Sequence, residues 1–113
     1  MFGTVSITSN SNGIPYLRTS GISVTTDSVD FSLGFRRIPA IGYLTVEVTN
    51  AIPTGTTATL PIRLTLNGNT RNLTFFGGDN VTAGDLEGTG VITVFYNWYT
   101  GTLQTTSLSP ATA

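Results

Sequence analysis

A period of two in the apolar residues, sustained through most of the chain, constrains this sequence more than any other feature. It is clearest where Leu60, Ile62, Leu64 and Leu66 alternate with Pro61, Arg63 and Thr65. Alternation of this kind gives a strand one dry face and one wet face. Asn67-Gly68 follows, two residues that tolerate positive φ, the type I′ hairpin signature. The return strand holds Arg71, Leu73 and Phe75. Folding about Asn67-Gly68 places Ile62 opposite Leu73 and Leu60 opposite Phe75, all on one face. Arg63 falls on the other face with Thr65 and Asn72, turned toward solvent or a partner.

The same period marks further strands. Residues 4–8 form a first candidate, and residues 10–13 a polar turn region. Tyr16 and Leu17 sit in a second segment, Ile22 and Val24 in a third. After a turn at Asp27-Ser28, Val29, Phe31, Leu33 and Phe35 are apolar at every second position. Pro39 cannot donate to a ladder, so residues 36–40 read as a connection or a strand edge. In residues 43–49, Leu44, Val46 and Val48 take one face, and Tyr43, Thr45, Glu47 and Thr49 the other. Residues 50–57, with Pro53 and Gly55, read as a loop. Residues 77–90 are a glycine-rich excursion, in which Thr82-Ala83-Gly84-Asp85 resembles a capping box and predicts one helical turn over 82–86. Residues 91–99 are apolar on both faces, which predicts a strand buried on two sides and central in its sheet. Thr100-Gly101 turns the chain back into residues 102–106. Seven to nine short strands with turn signals every ~8–12 residues predict an all-β chain, a single antiparallel β-sandwich, Ig-like or jelly-roll-like, with a small barrel as second choice. The domain spans residues 1–106 and residues 107–113 form a flexible tail.

Composition removes many kinds of chemistry. The chain has no cysteine, histidine or lysine, and its five basic residues are Arg18, Arg36, Arg37, Arg63 and Arg71. The commonest general base, thiol nucleophile and Schiff-base amine are therefore missing. Disulfides and the usual zinc sites go with them. No P-loop, dinucleotide fingerprint or serine hydrolase elbow occurs. Charged residues make up 10% of the chain and the net charge is −1, without a basic stripe, so no nucleic-acid partner is expected. No apolar run approaches the ~20 residues of a membrane span, so no membrane partner is expected either.

The carboxylates are Asp27, Asp30, Glu47, Asp79, Asp85 and Glu87. A glycosidase needs two across a cleft, but no aromatic-lined groove is visible in the sequence. Asp79, Asp85 and Glu87 share one loop, where oxygen ligands can hold Ca²⁺; their spacing fits no EF-hand, and solvated turn acids are the simpler reading. The expectation is no enzyme, no cofactor and no metal. Binding residues are then sought among the arginines and aromatics. Arg36-Arg37 offers planar donor forks to a partner's carboxylates or guards an edge strand. Tyr96, Trp98 and Tyr99 could stack a sugar, though Tyr96 and Trp98 read as core. The candidate protein-interface set is Arg36, Arg37, Tyr43, Arg63, Arg71 and Tyr99. Asn72-Leu73-Thr74 and Asn80-Val81-Thr82 match the glycosylation pattern and read as coincidence in a chain rich in Thr and Asn.

Polar positions filled by Thr, Ser, Asn and Gly suit exported adhesins, fibres and coats. The N-terminal MFGTVSITSN has no cationic start, apolar run or cleavage site, so a secretory signal is not expected there. A virion component, made in the cytosol and released with the particle, reconciles the two. From Ile38 onward the chain resembles the auxiliary capsid, or head-decoration, proteins of crAss-like tailed bacteriophages. The stretches that carry the resemblance are IPAIGYLTVEVTNAIPTGTTATLPIRLTLNGNTRNLTFFGG and DLEGTGVITVFYNWYTGTLQ, within roughly the last two-thirds of the sequence. The resemblance implies a small β-domain bound to the outside of an icosahedral shell, with the major capsid protein and neighbouring virion proteins as partners. Its location would be the capsid surface, after synthesis in the bacterial cytoplasm. It transfers no functional residue. The alternative expectation is a carbohydrate-binding or adhesin-type β-module with a glycan contact.

Overall fold

A computed structural model describes residues 10–11, 14–34, 37–86 and 88–107 of the chain. The expected strand at 4–8, Phe35, Arg36, Glu87 and the tail beyond residue 107 lie outside the described residues. Nine strands follow in order: β1 (Asn10–Ser11), β2 (Ile14–Arg18), β3 (Gly21–Val24), β4 (Val29–Ser32), β5 (Ile41–Val48), β6 (Ile62–Leu66), β7 (Asn69–Asn72), β8 (Gly90–Asn97) and β9 (Thr102–Thr105). They form two sheets, ordered β1-β2-β5-β8-β9 (sheet I) and β3-β4-β6-β7 (sheet II). The sheets pack face to face as a β-sandwich and do not close into a barrel.

Alternation decides which side chains meet between the sheets. Sheet I turns inward Leu17, Leu44, Val46, Val48, Ile92, Val94, Tyr96 and Leu103, and sheet II turns inward Val29, Phe31, Leu33, Ile62, Leu64, Leu66 and Leu73, all buried. Each such side chain stabilises the fold by about 1.5–3 kcal/mol relative to an exposed one, which makes this layer the main source of stability. The β6–β7 hairpin closes as its sequence demands: Asn67 and Gly68 have φ of 53° and 79°, and Leu66 pairs with Asn69.

Ladders are antiparallel except in two places, where β2 runs parallel to β5 and β4 parallel to β6. Parallel neighbours need a crossover. Here each crossover is a visit to the opposite sheet, through β3 and β4 in the first case and through β5 in the second. The chain passes from sheet I to sheet II within two residues, as Thr19 N–H donates to Glu47 O (2.9 Å) and Ser20 N–H to Ser32 O (2.7 Å). Thr19 is buried at this corner. Its hydroxyl accepts from Thr49 N–H (2.9 Å) and lies 2.9 Å from Thr49 Oγ1 and 3.1 Å from Asn50 Oδ1. A buried hydroxyl needs such partners to offset the loss of water.

Three local expectations are corrected. Leu73 meets Ile62 as expected, its N–H donating to Ile62 O (2.9 Å), but Phe75 does not reach Leu60. Thr74 instead bridges across to Gln104 of β9, and the place opposite Leu60 goes to Ala83, whose N–H donates to Leu60 O (2.8 Å). The glycine-rich excursion thus returns to the sheet, inserting fully buried Val81 between Ile62 and Leu73: Ile62 N–H donates to Val81 O and Val81 N–H to Leu73 O, both 2.8 Å. Residues 82–86 form a turn, not a helix. Asp85 Oδ2 accepts from both Thr82 N–H (3.0 Å) and Thr82 Oγ1 (2.9 Å), so the hydroxyl is spent on the carboxylate instead of capping a helix. Finally, β8 is flanked by β5 and β9, but its outer face is open, with Val91 55% exposed.

Candidate protein-docking surface

The two outer faces of the sandwich differ in kind. On sheet II, Ser23, Asp30, Arg63 and Asn72 align across β3, β4, β6 and β7. Arg63 grips Asp30 with two bonds, Nε to Oδ1 (2.7 Å) and Nη2 to Oδ2 (2.8 Å), and Ser28 Oγ donates to Asp30 Oδ1 (2.9 Å). The guanidinium bonded to it holds the Asp30 carboxyl below its ordinary range, and the carboxylate raises the pKa of Arg63 in return. Thr65 and Thr70 hydroxyls meet at 2.9 Å in the next row. Polar side chains on this face are directed at one another.

On sheet I the middle outward positions of β5 and β8 are aromatic or hydroxylic: Tyr43 and Thr45 opposite Phe95 and Thr93. Tyr43 stands directly opposite Phe95, which stands opposite Gln104. The two rings meet edge to face at 5.4 Å and 66°, an arrangement favoured by the ring quadrupoles. Tyr43 remains 50% exposed and Ile41 lies beside it at 48%, while Val91, 55% exposed, stands opposite Glu47 at the other end of β5, beyond the Thr45–Thr93 pair. Charge is confined to the end of β2 and β5, where Arg18 Nε lies 3.3 Å from Glu47 Oε1 and Tyr16 Oη donates to the same oxygen (2.8 Å). That bond to Glu47 is the chief reason the Tyr16 phenol titrates above its ordinary value. The result is an open sheet face whose middle carries no charge. Large apolar side chains exposed together on a polar-rimmed face mark an interaction site.

The six residues expected to form an interface do not form one site. Tyr43 lies on the sheet I face. Arg63 is on the opposite side of the sandwich, facing outward as expected, with its guanidinium bonded to Asp30 and its side chain 39% exposed. Arg71 follows the inward parity of β7, opposite Leu64, and places its guanidinium 5.9 Å from the Trp98 ring centre, a cation–π contact at the edge of the core. Arg37 is exposed in the connection before β5, and Arg36 lies outside the described residues. Tyr99 is 81% exposed at the tip of the β8–β9 hairpin. Of the aromatic cluster, Tyr96 is core, as read from sequence: it is 1% exposed and donates its hydroxyl to Pro39 O (2.6 Å), and burial raises its pKa. Trp98 packs edge-on against Tyr96 at 5.8 Å. Only Tyr99 offers a free ring to solvent among these three.

Phe95, Val91, Ile41 and Tyr16 were missed. Their parity was legible, since Val91 and Phe95 share one side of their strand and Tyr43 the polar side of its own. That the two strands are neighbours, so that these sides merge into one face, was not.

An open groove of about 300 Å³ is lined by Ile52, Pro53, Ala58, Ala83, Gly84 and Leu86. Ala58 closes tightly on Gly84, where an added Cβ would lie 3.2 Å from the alanine methyl. Among the described residues no three acidic side chains gather closely enough to hold a metal ion. Asp85 fastens its own turn, while Asp79 sits exposed at the end of a tight hairpin, its carbonyl accepting from Phe75 N–H (2.8 Å).

No protein-family model, curated protein or solved structure matches the chain.

Proposed function

We propose that this chain is a structural, protein-binding β-sandwich that docks through the outer face of sheet I. The observation that carries the reading is the contrast between faces: one satisfies its polar groups internally, while the other exposes Tyr43 and Ile41 beside Phe95 without a central charge. Interface cores are enriched in aromatic residues and depleted of charge, and hot spots cluster in such patches. The resemblance to head-decoration proteins supplies the partner: the outer surface of an icosahedral phage shell, where the domain bridges and reinforces major capsid subunits. Low charge supports this role, because close packing desolvates side chains and an unpaired buried charge is destabilising by several kcal/mol. A repeated lattice also converts a modest contact into strong retention.

The test is binding of the purified protein to phage particles stripped of it, counted by quantitative mass spectrometry. The wild-type protein should load in hundreds of copies, and the double variant Tyr43→Ser/Phe95→Ser should fold yet fail to load. Loading of a few copies, or undiminished loading of the variant, refutes the proposal. The competing glycan reading now passes to Tyr99, the exposed ring of its cluster. Glycan-array binding that vanishes in Tyr99→Ala would favour it.

A further inference from the structure

Phe76 is the most exposed large apolar side chain among the described residues, 91% open to solvent, next to Phe75 at 8%. A single exposed apolar residue is ordinary on a protein surface; what sets Phe76 apart is how it is held. Gly78 N–H donates to Phe75 O (3.0 Å), and Phe75 N–H donates to Asp79 O (2.8 Å). Gly77 and Gly78 have φ of 102° and 96°, a conformation that residues with a Cβ rarely adopt. Backbone bonds thus close the turn, and the ring stands out from its first corner position. A phenyl side chain on such a turn has little freedom left to lose on binding, which is the property of a pre-organised anchor.

Sheet I places the turn. Thr74 bridges to Gln104 of β9, Gln104 stands opposite Phe95, and Phe95 opposite Tyr43. One row therefore runs from Tyr43 to Thr74, and Phe76 lies two residues past its end. Alternation carries Leu73 and Phe75 inward, both buried, and Thr74 and Phe76 outward. With ~4.8 Å between strands and ~3.3 Å per residue, about 12 Å separates the Cα atoms of Phe95 and Phe76. Tyr43, Ile41 and Phe95 alone make a small patch. A stable contact takes about 800 Å² from each partner, a disc about 30 Å across. Centred on Phe95, that disc includes Phe76, whose ring adds up to ~150–250 Å² of buried surface.

We propose that Phe76 is the outlying anchor of the sheet I docking face, seated in an apolar pocket of the same protein partner. This rests on the reading of sheet I as the docking face. A flat face alone leaves the domain free to rotate about its normal; a ring seated to one side fixes a single orientation on the partner. Asp79, exposed in the same turn, brings a carboxylate to the contact, so the rim of the pocket carries a cation.

Loading onto phage particles stripped of the protein tests the anchor, with copies counted by quantitative mass spectrometry over a concentration series. Phe76→Ser should keep the wild-type Tm and raise the half-loading concentration by about 30-fold, the effect of one hot-spot residue. Asp79→Lys should load several-fold more slowly at low salt, with the difference closing as salt rises. Wild-type-like loading of Phe76→Ser, while Tyr43→Ser/Phe95→Ser fails to load, overturns the anchor and leaves the docking face standing. Wild-type-like loading of both variants removes the docking face and the anchor with it. Faster or unchanged loading of Asp79→Lys at low salt refutes the cationic rim.

Discussion

Tyr96→Phe isolates one atom at the best-packed aromatic of the structure. The Tyr96 ring is almost wholly buried, its edge set against Trp98, and these contacts survive the substitution. What is lost is a 2.6 Å hydrogen bond to Pro39 O, which ties the connection before β5 to the end of β8. A typical intramolecular hydrogen bond contributes about 0.5–1.5 kcal/mol net. Pro39 is exposed, so water can replace the donor at its carbonyl and the loss stays near the middle of that range. We expect a loss of about 1 kcal/mol, or about 4 °C in Tm for a domain of this size. Tyr96→Ala, which empties the site, should lose about 3–5 kcal/mol. The difference has a pH signature. Burial raises the Tyr96 pKa above its ordinary value, so its contribution is fully present below the unfolded value of about 10 and is lost as pH rises through the higher folded value. Tyr96→Phe lacks that titration, so its deficit should shrink in denaturant titrations carried out at increasing pH above ~10. Tyr16, whose pKa is also raised, leaves an alkaline slope in both proteins. Equal stability of the two proteins near neutrality, with superimposable alkaline limbs, would refute an interior donor at residue 96.

Three further outcomes are expected. Asp30→Asn should flatten the acid limb of the stability curve: the Asp30 pKa is depressed mainly by Arg63, so its contribution is present above the unfolded carboxylate value of about 3.9 and disappears as pH falls through the lower folded value. Thr19→Val should destabilise by about 1–3 kcal/mol in urea unfolding, because Thr49 N–H loses its acceptor at a buried corner. Gly68→Ala should destabilise by about 1–2 kcal/mol, since φ of 79° is strained for any residue with a Cβ; a thermal melt equal to wild type would argue against the type I′ turn.

Much of the sandwich was legible from local rules. Period-two alternation located β4, β5, β6 and β8 and sorted nearly every inward side chain, because pleat geometry forces neighbours onto opposite faces. Asn67-Gly68 announced its turn because few residue pairs accept two positive φ values. The errors share a cause. Leu60 failed to meet Phe75 because Thr74 found a partner on β9, some thirty residues away. The partner of Arg63 went unseen because Asp30, thirty-three positions earlier, carries no mark in the sequence that it will lie alongside. The capping box became a simple turn because the Thr82 hydroxyl bonded a carboxylate.

The candidate site divides the same way. Sequence determined that Val91 and Phe95 would share one side of their strand and that Tyr43 would lie on the side of its own away from Leu44, Val46 and Val48. It also determined that the chain would carry no histidine, cysteine or lysine chemistry. Tertiary structure decided that β5 and β8 are neighbours, so that scattered outward residues merge into one apolar face. It decided too that, among the described residues, β3 pairs with β4 alone. The physical reason is that side-chain direction is set within a strand by local sterics, whereas strand order is set by which distant backbones meet. Hydrogen bonds between backbones are nearly blind to sequence, so only the packing of the whole core selects among the pairings they allow.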